Sequence, residues 1–440
     1  MKRIIPFLIL YVFIAFPLRA QYEYTLKQCL EEGLMNNYSL RITRNEELIS
    51  KNNATLGNAG FLPTVDLTAS YTGTADNTNT EERETGITTK QRGVFDQTLD
   101  AGLDVNWTVF DGFSISTTYK QLQELKRQGE TNTRIAIEDF IATLTAEYYN
   151  YIKQEIRLKN FRYAVSLSKE RLRIVEERYH IGNFSRLDYQ QATVDFNADS
   201  AQYMKQQELV HTSRINLNEL MAAKDVDRPI QVRDSVIDIS DFLDFNDLWN
   251  STLTANASLL RADQNSVIAQ LDYKKVLSRN YPYVRLNAGY GYTLNKYDVN
   301  ATRSRSNWGF SGGVTVGFNI FDGNRKREKR NASLAIRNAQ LEREELEQGL
   351  RADLSNLWQA YRNNLRLLSL ERQNLIAAKE NHDIAKDRYL LGDLSGIEMR
   401  EAQKSLLDAE ERILSAEYDT KMCEISLLQI SGKIMQYLED

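Results

Sequence analysis

The strongest metal ligands in this chain are three histidines, His180, His211 and His382, and two cysteines, Cys29 and Cys423. No two of them stand at the short spacing that sets ligands side by side on a helix or turn, so no zinc site is expected. The chain has no Walker A loop, no G-x-S-x-G elbow and no H-E-x-x-H helix, which removes the usual carriers of phosphate and nucleophile chemistry. Asp111-Gly112 and Asp322-Gly323 have the composition of turns, not of phosphate cradles. The sequence therefore predicts neither an enzyme nor a cofactor. A formal charge of -5 argues against a broad nucleic-acid-binding surface. Cys29 and Cys423 each fall in a helical pattern, where a small buried thiol is ordinary, and a disulfide between them stays open.

Without reactive groups, the elements themselves must carry the function. Lys2 and Arg3 precede an apolar run from Ile4 to Phe16, and Leu18-Arg19-Ala20 places a small residue before Gln21. This is the layout of a secretory signal peptide over residues 1–20, with an uncleaved membrane anchor as the alternative. No later segment is apolar enough over roughly 20 residues to span a membrane as a helix. An exported chain of this kind is either soluble or crosses an outer membrane as a barrel.

The chain is written twice. Asn37, Ser39 and Leu40 return as Asn256, Ser258 and Leu259, and Leu62-Pro63 is answered by Tyr281-Pro282. Val109-Phe110-Asp111-Gly112 returns as Ile320-Phe321-Asp322-Gly323. Arg178-Tyr179, Gly182, Ser185 and Ala192 return as Arg388-Tyr389, Gly392, Ser395 and Ala402. Each half reads as helix, strand pair, very long helix, turn, helix. The expected organisation is a first repeat over 21–222, an equatorial linker over 223–245, a second repeat over 246–431 and a tail over 432–440. The halves should interlock, because neither strand pair closes a barrel alone.

The strands show period two. Val65, Leu67, Ala69 and Tyr71 alternate with Thr64, Asp66, Thr68 and Ser70. Leu99, Ala101, Leu103, Val105, Trp107 and Val109 share a face opposite Asp100, Asp104, Asn106 and Thr108. Val284, Leu286, Ala288, Tyr290 and Tyr292 form a third row, and Trp308, Phe310, Val314, Val316, Phe318 and Ile320 a fourth. Residues 74–93 and 295–307 are polar and read as exposed loops. Hydrocarbon permits no open sheet edge, and four strands are too few for a single-chain barrel, so several chains must pool their strands. Apolar faces would meet lipid, polar faces would line water, and Tyr71, Trp107, Trp308 and Phe310 suit the interfacial belts. A soluble sheet packed on helices is the bland alternative.

Long helices are expected over 114–179 and 324–389, each roughly 100 Å at 1.5 Å per residue. One seam is Ile137, Ile141, Leu144, Tyr148, Ile152 and Ile156; another is Leu346, Leu350, Leu354, Leu357 and Tyr361. Such spacing calls for knobs-into-holes packing. Shorter helices are expected over 26–59, 185–221, 247–279 and 395–430. Gly182 and Gly392 suit left-handed helix ends, and Ser185 and Ser395 suit the caps that follow.

With Phe61-Leu62-Pro63 and Tyr281-Pro282 before the strand pairs, Phe110-Asp111-Gly112 and Phe321-Asp322-Gly323 after them, and Arg-Tyr-x-x-Gly at both turns, the chain resembles the outer-membrane efflux protein family, the TolC-like channels. The resemblance covers nearly all of the mature chain. It implies a homotrimer with a twelve-stranded outer-membrane barrel, four strands per chain, continuous with a long α-helical periplasmic tunnel. It implies a passive exit duct served by a periplasmic adaptor and an inner-membrane transporter of RND or ABC type. Small-molecule cargo and polypeptide cargo of type I secretion are both compatible with it. It further implies carboxylates at a periplasmic gate, and the matching positions are Glu398 and Glu401, on one helix face. Asp188 is the first-half counterpart, with an ordinary first-turn aspartate as its alternative. Two solvated glutamates are the bland reading of the first pair. The tips around Gly182, Gly392, Arg178 and Arg388 are the implied adaptor contact, although both arginines also suit helix-end carbonyls. A periplasmic scaffold or adhesin is the non-channel rival.

Overall fold

Residues 23–234, 236–240, 243–299 and 301–438 are described by the computed structural model. The expected signal peptide lies outside them. The chain opens with a short strand β1 (Glu23–Tyr24) and three helices, α1 (Leu26–Asn36), α2 (Tyr38–Asn53) and α3 (Leu56–Ala59). A hairpin follows, β2 (Thr64–Glu81) and β3 (Thr88–Asp111), then α4 (Ser114–His180) and α5 (Arg186–Leu220). After β4 (Gln231–Val232) the order repeats: α6 (Phe245–Ala255), α7 (Ala257–Ser278), β5 (Tyr283–Lys296), β6 (Ser304–Gly317), α8 (Arg325–Leu391) and α9 (Gly396–Ile430). A 3-10 turn over Ile434–Leu438 ends the described chain. Two compact units cut across the repeat. One holds residues up to Arg41, Ala136–Asn256 and the chain from Leu350; the other holds Ile42–Ile135 and Ala257–Gly349.

The sheet lies in the second of these units and has the strand order β2-β3-β5-β6, antiparallel throughout. Its register joins the four sequence rows into one apolar face: Leu67 is across from Leu103, Leu103 from Tyr290, and Tyr290 from Phe310. The next row is polar: Asp66, Asp104, Gly289 and Ser311. β2 and β6 are the sheet's edges in a single chain. The polar residues over 74–93 prove to be mostly strand, and both ends of 295–307 are strand as well. The hairpin connections are only 82–87 and 297–303. Polarity on both faces removed the alternation by which a strand is recognised. β3 and β5 slip register between Thr108 and Phe110. Val109 is the extra residue, and Phe110 takes its place opposite Val284. β6 ends at Gly317, so Phe318 and Ile320 lie beyond the strand.

In the same unit, α4 and α7 are joined by amides as much as by apolar contact. Gln264 donates to Thr131 Oγ1 at 2.9 Å and Gln121 to Asp272 at 2.9 Å. Trp107 faces outward yet satisfies its indole N–H on the Phe61 carbonyl at 2.9 Å.

The first unit holds the main core. Leu30, Ile141, Leu144, Tyr148, Ile152, Leu217, Ile425 and Leu428 are essentially inaccessible. Each such side chain contributes about 1.5–3 kcal/mol through burial. The linker is held by side chains of the long helices and α9. The Tyr148 hydroxyl donates to Asp234 at 2.7 Å and that of Tyr151 to the Ile230 carbonyl at 3.1 Å. Tyr361 reaches the Ser240 carbonyl, whose amide donates to Glu424 at 3.0 Å. Glu424 is buried with Lys421 at 2.8 Å and accepts from Tyr437 at 3.0 Å, so its charge is fully partnered.

Two expected helices are broken. The 26–59 segment stops at Asn37 and the 247–279 segment at Asn256, positions that match in the repeat. Asn37 donates its side-chain amide to the Leu220 carbonyl at 3.0 Å, and Asn256 to that of Ile430 at 2.9 Å. Each asparagine thus satisfies the last carbonyl of the short helix in its own half.

Candidate functional site

The turns that join α4 to α5 and α8 to α9 are built alike. Gly182 donates to the Tyr179 carbonyl at 3.0 Å and Asn183 to that of Arg178 at 2.9 Å. In the second turn Gly392 donates to Tyr389 at 3.2 Å and Asp393 to Arg388 at 2.9 Å. This pair of bonds is the Schellman ending. Gly182 has φ 87° and Gly392 φ 88°, and an added Cβ would meet nothing within 4 Å at either. Within the chain, glycine is there for the left-handed backbone and not for close packing.

Ser185 and Ser395 cap the returning helices, as expected. Each sits in a capping box whose second member is a predicted gate residue. Ser185 donates to the Asp188 carboxylate from its amide at 3.0 Å and its hydroxyl at 2.7 Å. Ser395 does the same to Glu398 at 3.0 and 2.7 Å. The hydroxyl and amide of Ser395, with Arg388 nearby, hold the Glu398 carboxyl below its ordinary pKa. Asp188, Glu398 and Glu401 are all exposed. Met399 and Ala402 pack on Ala385 and Tyr389, which turns Glu398 and Glu401 away from the hairpin interior.

Arg178 and Arg388 part company. Arg178 donates to the Leu390 carbonyl at 3.1 Å and lies over the rings of Phe184 and Tyr389 at 5.4 and 5.9 Å. It binds one repeat's helix end to the other's. Arg388 is exposed beside Glu398.

Sequence reasoning missed the charges behind these tips. Arg171 of α4, 5% exposed, pairs with Asp195 of α5. Arg400 of α9 grips Asp199 of α5 with two bonds of 2.7 Å and approaches Asp195 at 3.9 Å. Burial lowers the Arg171 pKa, while Asp199 raises that of Arg400. The four side chains tie three helices together. The i, i+4 spacing of Asp195 and Asp199 was the only local signal.

The polar face of the sheet carries a second set of carboxylates. Asp104 accepts from the Thr68 hydroxyl at 2.9 Å, and Asp100 from that of Thr293 at 2.6 Å. Among the described residues no group of histidine, cysteine and carboxylate side chains could hold a metal ion. Cys29 and Cys423 are both free thiols. No helix in the described residues is long and apolar enough to cross a membrane.

The fold is that of several solved channels. Campylobacter jejuni CmeC, an outer membrane channel, superimposes with a TM-score of 0.77 at 16% identity, covering 93% of this chain and 85% of that one. The Neisseria gonorrhoeae MtrE outer membrane channel in its open state gives 0.73 at 16% identity over 92% and 88%. The Vibrio cholerae outer membrane protein VceC gives 0.71 at 16% over 92% and 96%. No curated protein matches the chain by sequence. The sequence profile described as outer membrane efflux protein matches residues 30–223 and 248–433. Since these two stretches take in both halves and nearly every element above, the chain belongs to the outer membrane efflux protein family, whose place is the outer membrane with its helices in the periplasm.

Proposed function

We propose that three copies of this chain close a twelve-stranded barrel and a helical tunnel, forming the passive exit duct of a tripartite efflux system for small molecules. The observation that carries this reading is the four-stranded sheet with an unbroken apolar face and two open edges. In hydrocarbon those edges must pair with further copies. Glu398 and Glu401, turned away from their own hairpin, would gather around the threefold axis as the entrance gate, with Asp188 beside them. Six glutamates at one constriction repel anions and draw cations. Gly182, Gly392, Arg178 and Arg388 mark the tips that a periplasmic adaptor would grasp. An inner-membrane transporter supplies the energy.

The test is conductance of the purified protein in planar bilayers. Discrete openings with cation preference are expected, and Glu398→Gln with Glu401→Gln should weaken that preference. Unchanged selectivity would remove these residues from the gate. Isolation as a monomer that needs no detergent would remove the channel. Co-purification identifies the transporter, and the substrate class of that transporter separates small-molecule from polypeptide cargo.

A further inference from the structure

The two halves differ most in charge where the second strand hands over to the long helix. In the first half α4 begins Ser114-Ile115-Ser116-Thr117-Thr118-Tyr119, without a charge. In the second α8 begins Arg325-Lys326-Arg327-Glu328-Lys329-Arg330. Two of these face their own chain. Arg325 donates to Asn280 at 3.3 Å and to the Asn319 carbonyl at 3.0 Å, and Glu328 is taken by Arg279 at 2.5 Å. Lys326, Arg327, Lys329 and Arg330 are exposed, and no carboxylate among the described residues pairs with them. Lys326 and Arg327 lie in the first turn, where cations oppose the helix dipole, so stabilising α8 does not account for that pair.

What precedes them is apolar. Phe318 is 55% exposed, Ile320 87% and Phe321 86%. They follow Trp308, Phe310, Val314 and Val316 in the chain, past the last residue of β6. A band of exposed apolar side chains followed, after the turn Asp322-Gly323-Asn324, by unpaired cations is the order met on leaving a bilayer, from acyl chains to headgroups.

We infer that Lys326, Arg327, Lys329 and Arg330, with Phe318, Ile320 and Phe321 as their hydrocarbon-side anchor, form a docking surface for anionic phospholipid headgroups of the leaflet facing the periplasm. Charge complementarity selects an anionic partner. Continuity with the lipid-facing row of β6 selects a bilayer lipid over a soluble anion. The arrangement belongs to the second half only, so each copy contributes one such surface.

The full chain would be reconstituted in bilayers of phosphatidylethanolamine with and without phosphatidylglycerol, extracted in detergent, and its retained lipid identified by native mass spectrometry. The wild type should retain phosphatidylglycerol preferentially. The quadruple variant Lys326→Gln, Arg327→Gln, Lys329→Gln, Arg330→Gln should retain roughly tenfold less. Raised salt should have the same effect on the wild type, a readout independent of how the variant folds. Equal retention by both proteins, indifferent to salt, overturns the inference. So does an altered ion preference of the channel with lipid retention unchanged, which would place the cations on the water path. Loss of the oligomer with lipid preference intact would assign them to a neighbouring copy instead.

Discussion

Arg400 of α9 holds Asp199 of α5 by two hydrogen bonds of 2.7 Å each, and both belong to a four-charge group with Arg171 and Asp195. Asp199 is 10% exposed, so removing its partner leaves a carboxylate with little water to replace it. Arg400→Met should lower stability by about 3 kcal/mol, read as a fall in the thermal midpoint of the helical signal in detergent. Asp199→Asn added to Arg400→Met should restore much of it. A midpoint that does not move would show the network to be idle.

Glu398 gives a pH dependence of known sign. Its folded pKa lies below the ordinary value, through Ser395 and then Arg388. Its contribution is therefore complete above the unfolded carboxylate value of about 4.3, and disappears as pH falls through the lower folded value. Glu398→Ala should be less stable than wild type at pH 7 and equal to it well below that range. A difference that persists in acid would mean that the carboxylate charge is not what caps α9.

The turn glycines separate backbone from packing. Gly392→Ala places a Cβ at φ 88° with open space around it, and should cost about 1 kcal/mol through the backbone alone. Gly392→Asn, which tolerates that region, should cost less. Thermal melts of the two variants check the order; equal losses would point to an unseen steric demand.

Asn37 and Asn256 should be sensitive in the same way. Asn256→Leu leaves the Ile430 carbonyl without its 2.9 Å donor, a loss of about 1–3 kcal/mol when the site stays dry. Asn37→Leu does this to Leu220 and also removes the bond from the Leu40 amide at 3.2 Å. Slow hydrogen exchange of the neighbouring helix ends should speed up in both variants.

Cys29 is fully buried, and burial pushes its thiol up to about 12. At neutral pH almost no thiolate is present to react. Maleimide should label Cys423 first and Cys29 only on unfolding, and intact mass under non-reducing conditions should count two thiols. Rapid labelling of Cys29 would contradict its packing among Leu30 and its neighbours.

The repeat, the long helices and the apolar row of the sheet were legible because each depends on a spacing that a local physical rule enforces. Leu67, Leu103, Tyr290 and Phe310 could be placed on one face before any register was known. Ser185 and Ser395 could be named as caps for a similar reason. The extension of β2 to Glu81 was hidden, since a strand wet on both faces has no apolar period. The breaks at Asn37 and Asn256 were hidden because one asparagine inside a helical pattern gives no hint of a carbonyl distant in sequence. The pairing of Arg171 and Arg400 with Asp195 and Asp199 was hidden for that reason too. Glu398 and Asp188 were found as candidates, but the bonds that bind each carboxylate to the serine three residues before it emerged only in three dimensions.

β2 and β3 span 18 and 24 residues, against 14 each for β5 and β6, and β3 first meets β5 at Gln97. The Phe95 amide and the Asp96 carboxylate still bond Asp298 of the β5–β6 connection, so it is the stretch from Thr88 to Val94 that extends past β5, by roughly 23 Å at strand rise, ending in the turn from Glu82 to Ile87. In the proposed trimer, three such prongs would stand clear of the cell surface as a turret. A short epitope inserted beside Glu84 would be visible to antibody on intact bacteria without touching the wall that seals the pore.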